Sequence, residues 1–234
     1  MYLEVSFSKI VDVRRFDAEI QSLAKKEKMD VNTHHETNSQ KNIAVFVTKE
    51  PLCLKTILAN AKSLKGKISV IVSTENTLAP LAKKAKIPFV TIKESTQQKA
   101  EEKIIDVCKK YEIDLISLAR YMRILSPNFV WRYPNRIINI HPSVLPAFPG
   151  ALAYEQAFDR GTKIVGVTSH YVTENLDQGP IIFQDSFKVD PNDTLEKIKT
   201  KGQRLEADTL LKAMKMHLEN KLEVRWRKVH IKSK

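Results

Sequence analysis

"NIAVFVTKEPLCLKTILANAKSLKGKISVIVS", residues 42–73, decides the fold. Its two ends, "NIAVFVT" and "KISVIVS", are short continuous apolar runs, the composition of strands covered on both faces. Between them "CLKTILANA" reads as a helix. The same rhythm continues outward with a helix in "LAPLAKKA", a strand in "IPFVTI", a long helix from Gln97 to Tyr111, and strands in "DLISLA" and "RIINI". Strands alternating with helices predict an α/β, mostly parallel sheet with right-handed crossovers and helices on both faces, a Rossmann-like architecture. "IVGVTSHYV" and "PIIFQDSF" flank the loop "TENLDQG" and read as two antiparallel additions. "DTLEKIKTKGQRLEADTLLKAMKMHLE" is a long amphipathic helix, with Asp193 and Glu196 in capping-box spacing. "EVRWRKVHI" alternates and reads as a last strand.

Before this domain the pattern differs. "MYLEVSFS" alternates apolar and polar side chains and predicts a half-buried strand. "DVRRFDAEIQSLAKKE" places Phe16, Ile20, Leu23 and Ala24 at helical spacing, and the polar "TNSQKN" reads as a linker. The organisation expected is a short β-α segment over 1–38 and a main domain over 41–234. One strand and one helix cannot bury a core alone, so the segment is expected to dock on the rest or on a second subunit.

Composition narrows the function. The 234 residues are 42% hydrophobic and 28% charged, as in ordinary globular proteins. No apolar run is long enough for a membrane span, and "MYLEVSFSKI" lacks a signal-peptide pattern. Cys53 and Cys108 are isolated thiols, which points to a reducing, cytoplasmic setting. The six histidines fall in no metal-binding spacing, so no metal is expected. The net charge of +12 is spread over lysine pairs, with only "RWRKVHIKSK" dense. That reads as a solvated surface rather than a nucleic-acid site.

The chemistry concentrates in "RIINIHPSVLPAFPG", residues 136–150. Asn139 and His141 stand two apart at the carboxyl end of a strand, on one face, where ligands of open parallel sheets bind. "ENLDQGPII" adds Asp177 in a turn near the end of another strand. An amide, an imidazole and a carboxylate suit attack on an acyl carbon. His141 can move a proton near neutrality. Asn139 can donate to a developing oxyanion. Asp177 can orient the imidazole or hold the attacking water. The plain alternative is a satisfied histidine at a strand end and an Asp-x-Gly turn.

"INIHPSVLPAFPG" together with the downstream "SHYVTENLDQGPII" resembles the folate-dependent formyltransferase fold family over roughly residues 41–230. The resemblance implies Asn139, His141 and Asp177 as the catalytic trio, with His170 lining the pocket. In "LARYMRILS" it implies that the backbone of Arg123, Ile124 and Leu125 reads the folate ring. "LARYMRILSPNFVWRYPNRIINIHPS" and "AYEQAFDRG" are most similar to the deformylase branch, whose members hydrolyse 10-formyltetrahydrofolate to formate and tetrahydrofolate. Likeness to that branch implies a substrate in one-carbon metabolism and purine biosynthesis, with no cofactor beyond the folate substrate. The first segment resembles the second half of an ACT domain, and a homodimer through its strand is one expected assembly.

An amine formyltransferase is the alternative. Phosphoribosylglycinamide transferases have a Gly/Ser-rich phosphate cradle after the first strand. Here that position reads "VTKEPLCLKTIL", without glycine, with Pro51 lacking an N–H and Glu50 opposing an anion. Pro142 after His141 is nonetheless the residue that transferases carry, where deformylases commonly have a second histidine. A silent folate or nucleic-acid binder is the third reading, opposed by the presence of all three trio residues.

Overall fold

The computed structural model describes residues 12–29, 31, 33, 40–148, 150 and 152–232. It divides into two units, Met1–Ser39 and Gln40–Lys234. In the first unit, α1 (Val13–Lys26) begins at Asp12, whose carboxylate accepts from the N–H groups of Arg14 and Arg15 at 3.1 and 3.2 Å. That capping satisfies backbone donors that a helix leaves without partners. The strand expected over residues 1–8, and with it the dimer contact, lies outside the described residues.

The second unit is built on a seven-stranded sheet. Its strands are β1 (Lys41–Val47), β2 (Gly66–Ser73), β3 (Phe89–Thr91), β4 (Leu115–Leu118), β5 (Ile137–His141), β6 (Ile164–Tyr171) and β7 (Ile181–Lys188). The order is β3-β2-β1-β4-β5-β6-β7. The first five run parallel, and β6 and β7 are antiparallel additions, as the sequence predicts. The strand order turns between β1 and β4, the place beyond the carboxyl ends where open α/β sheets bind their ligands.

The continuous apolar runs have the expected cause. Along β1, Ile43, Val45 and Val47 enter one core while Ala44 and Phe46 enter the other. The helices α2 (Leu52–Ala59), α3 (Ala79–Ala85) and α7 (Leu195–Leu218) contribute to the first core. The second is covered by α4 (Gln97–Lys110) and α5 (Pro127–Val130). Both faces are therefore dry, and each fully buried Ile or Phe contributes about 1.5–3 kcal/mol of transfer free energy. A smaller cluster gathers Tyr154 and Ala157 of α6 (Ala153–Asp159) with Val165 and Ile198.

Two sequence expectations need correction. α7 is capped by Thr194, whose hydroxyl accepts from the Lys197 N–H at 3.3 Å, and not by Asp193. Asp193 instead accepts from the Asp190 N–H at 3.1 Å and pairs with Lys201, contacts across a turn that the capping-box pattern does not anticipate. "EVRWRKVHI" is not one strand but a hairpin of β8 (Leu222–Arg225) and β9 (Lys228–Ile231). Trp226 and Arg227 form its turn at φ 53° and 60°, values usually taken by Asn-Gly, so no turn residue marked it.

Candidate active site

Alternation along β5 sets the site. Ile138 and Ile140 point into the core beside α7, so Ile137, Asn139 and His141 share the other face. Ile137 closes the core there, and the two polar residues emerge past its end. Antiparallel β6 brings His170 opposite Asn139 and Thr168 opposite His141. The amide nitrogen of Asn139 lies 3.2 Å from His170 Nε2.

The tautomer of His170 is fixed by its other nitrogen. Nδ1 lies 2.9 Å from the carbonyl of Tyr171 and must donate to it. Burial holds the pKa of His170 below the usual imidazole range, so the ring is neutral and Nε2 is an acceptor. Asn139 must therefore turn its NH2 toward His170, spending one N–H and leaving the second, with its carbonyl oxygen, for a ligand.

Asp177 arrives from the loop between β6 and β7, in the left-handed region at φ 55°. Its Oδ2 lies 3.3 Å from His141 Nδ1 and accepts from the Gly150 N–H at 3.1 Å. Its Oδ1 is 3.8 Å from His170 Nε2, beyond hydrogen-bond length. Gly179 lets this loop approach, because a Cβ there would overlap the Tyr171 carbonyl. His141 Nε2 faces the Phe148 carbonyl at 2.9 Å, so both ring nitrogens look at acceptors. A neutral imidazole carries one N–H and meets one of them, whereas an imidazolium meets both.

The loop after β5 is held from beneath. The buried hydroxyl of Thr168 donates to the Ser143 carbonyl at 2.7 Å and accepts from the Leu145 N–H at 2.9 Å. Gln184 donates to the Leu145 carbonyl at 3.0 Å and to the Thr168 hydroxyl at 2.8 Å. Phe148 and Leu152 take φ of 48° and 60°, backbone strain that non-glycine residues carry only where the surroundings enforce it. Thr168 and Gln184 carried no sequence signal beyond being polar positions in strands.

The structure thus brings Asn139, His141, His170 and Asp177 together. Arg123, Ile124 and Leu125 sit in the next loop, after β4, where their contacts run toward α4. Arg123 donates to the Glu94 carbonyl at 3.4 Å, and the Ile124 carbonyl accepts from Gln97 at 3.0 Å. Leu125 is buried, whereas Met122 and Ile124 are 66% and 64% exposed and form an apolar ledge. In the loop after β1, the Thr48 hydroxyl accepts from the Met122 N–H at 3.0 Å. No three His, Cys, Asp or Glu side chains among the described residues are placed to hold a metal ion. No helix among them is long and apolar enough to cross a membrane. Both cysteines are buried with raised pKa values, Cys108 by burial to about 12.

On the α7 side of the sheet, one group has no counterpart in the sequence motifs. Glu206 of α7 is 1% exposed; it accepts from the Tyr154 hydroxyl at 2.7 Å and pairs with Arg120 at 3.2 Å. Burial raises its pKa against the opposing pull of Arg120. Its place in the stripe Gly202, Glu206, Leu210 was a usable signal, since a charge on the buried face of an amphipathic helix needs a partner.

Residues 41–214 match the formyl transferase family. The chain is 44% identical over 188 residues to formyltetrahydrofolate deformylase of Bacillus subtilis, covering 79% of this chain and 63% of that protein. It therefore spans less than two thirds of the length of that relative. Among solved structures, a formyltetrahydrofolate deformylase from Pseudomonas syringae superposes with a TM-score of 0.81 at 31% identity, covering 94% of this chain and 75% of that one. Glycinamide ribonucleotide transformylase 1 from Symbiobacterium toebii gives a TM-score of 0.79 at 29% identity over 86% of this chain and 98% of that one. The family match runs from β1 into α7 and takes in every strand and loop that builds the site, and on that ground the chain belongs to the formyl transferase family.

Proposed function

We propose that this chain hydrolyses 10-formyltetrahydrofolate to formate and tetrahydrofolate, with Asn139, His141 and Asp177 as the groups that meet the reacting atoms. The observation that carries the reading is the contact set Asn139–His170, Asp177–His141 and Asp177–Gly150 at the carboxyl end of β5. Relatives named as deformylases support it. Water adds through oxygen to the formyl carbon, and the developing oxyanion takes the free N–H of Asn139. As the carbon–N10 bond breaks, N10 gains a proton through His141, and formate leaves. Asp177, held by Gly150, orients the imidazole and balances its charge.

His170 lines the pocket and positions Asn139. The backbone of Arg123, Ile124 and Leu125 reads the folate ring, with Met122 and Ile124 as the apolar ledge beneath it. No cofactor beyond the folate substrate is required. The same reading makes the chain a cytoplasmic enzyme supplying formate for purine biosynthesis, with an ACT-like first segment, a homodimeric assembly and no nucleic-acid partner.

Formate release, measured with and without glycinamide ribonucleotide, tests the assignment. Turnover without the ribonucleotide is expected. Turnover that requires it makes the chain a transferase, the reading favoured by Pro142 and by the fold shared with the transformylases.

A further inference from the structure

Arg120 lies two residues past the end of β4, whose Leu118 pairs with Phe46 of β1 on one side and Asn139 of β5 on the other. It therefore stands at the turn of the strand order, between the loop after β1 and the strand that carries His141. The chain divides here. Arg123 turns to the α4 side, where the exposed Met122 and Ile124 form the ledge. Arg120 turns to the α7 side and meets Glu206, whose other oxygen takes the Tyr154 hydroxyl.

This arrangement is costly in three ways. Arg120 holds φ 62°, a left-handed backbone that a residue with a side chain resists. Its Nε is buried without a partner. Glu206 is an almost fully buried carboxylate, and a buried ion pair seldom repays its desolvation. The pair is therefore weak evidence of a purely stabilising role.

We propose that Arg120 is the residue that keeps this site hydrolytic: folded onto Glu206 and Tyr154, it fills the side from which an amine acceptor would reach the formyl carbon. The proposal rests on the hydrolase reading above. Both carboxylate oxygens of Glu206 are engaged, so neither is left to bind an ammonium or to take the proton that an attacking amine must lose. Glu50, whose charge acts on Glu206 and Cys53, discourages an anionic acceptor at the same place. Water needs no such subsite. With an amine the same carbon–N10 bond would break and N10 would gain its proton, but a carbon–nitrogen bond would form in place of carbon–oxygen.

The test uses the full chain with 10-formyltetrahydrofolate and glycinamide as the probe amine, with formate and N-formylglycinamide measured together. Wild type should give formate only. Arg120→Gly combined with Glu206→Gln relieves the backbone and leaves no unpaired charge. Formylated amine should then appear at no less than about ten times the detection limit that bounds the wild type, and increase with glycinamide concentration. A folded double variant that releases formate but formylates no more amine than wild type overturns the proposal. Wild type alone provides a second measurement: hydroxylamine, little larger than water, should divert formyl groups while glycinamide does not. Wild type that formylates glycinamide also overturns it, whether or not the variant folds. Wild type that releases no formate refutes the hydrolase reading instead, so the two failures are distinct.

Discussion

Gly202→Ala should destabilise the protein, although helix propensity alone predicts the opposite. Gly202 lies inside α7, where replacing glycine by alanine usually stabilises by about 1 kcal/mol. Here a Cβ would fall well inside van der Waals contact of Tyr154 Cζ, Oη and Cε1. The Tyr154 ring is a rigid plate, 5% exposed, with its hydroxyl held by Glu206 at 2.7 Å, so it cannot slide aside without losing that bond. Overpacking of this kind costs about 1–3 kcal/mol. Losing a hydrogen bond to a charged group costs about 1.5–3 kcal/mol more. Against the propensity gain the net loss is about 1.5–5 kcal/mol. For a domain of this size it should lower Tm by roughly 5–15 °C. Urea and thermal unfolding of parent and variant measure it directly. The cycle with Tyr154→Leu gives the mechanism, because Gly202→Ala should become neutral or stabilising once the ring is gone. A single variant as stable as its parent would refute the packing argument.

The site residues and the buried histidine of α7 carry further outcomes. Asp177→Asn should leave folate binding nearly intact and lower turnover by about two to four orders of magnitude. His141→Ala should do likewise, and the double variant should fall far short of the product of the two losses, as single-turnover kinetics can check. His217 is neutral in the fold, its pKa lowered to about 4 by burial and by Lys41 and Arg136, while its Nδ1 accepts the Tyr171 hydroxyl at 2.8 Å. The unfolded chain takes up this proton below about pH 6.5, so stability present above that pH is lost as pH falls toward 4. A shift from about 6.5 to about 4 makes this loss about 3 kcal/mol at most, and urea unfolding of His217→Gln should lack that component. The proposed dimer should sediment as a monomer once residues 1–40 are deleted; a truncated chain that still dimerises, or a parent chain that is already monomeric, rejects the strand-pairing assembly.

The sequence by itself determined the layered sheet and much of the site. "NIAVFVT" and "KISVIVS" are apolar at every step because β1 and β2 are covered on both faces, and that requirement is written in each residue. Asn139 and His141 were legible for the same local reason, since a period of two puts both on one face beyond Ile137. What only the tertiary structure decided depends on partners distant in the chain. "EVRWRKVHI" alternates throughout, and its turn shows only as the positive φ of Trp226 and Arg227. Asp193 is by type the better cap, and its engagement with Lys201 and the 190–193 turn leaves the role to Thr194. The tautomer of His170 is set by the Tyr171 carbonyl and by burial. Arg120, Tyr154 and Glu206 come from three separate elements, and no local pattern records that they meet. Periodicity reports what one segment needs from its surroundings, while hydrogen-bond and ion-pair partners are chosen by the packing of whole elements.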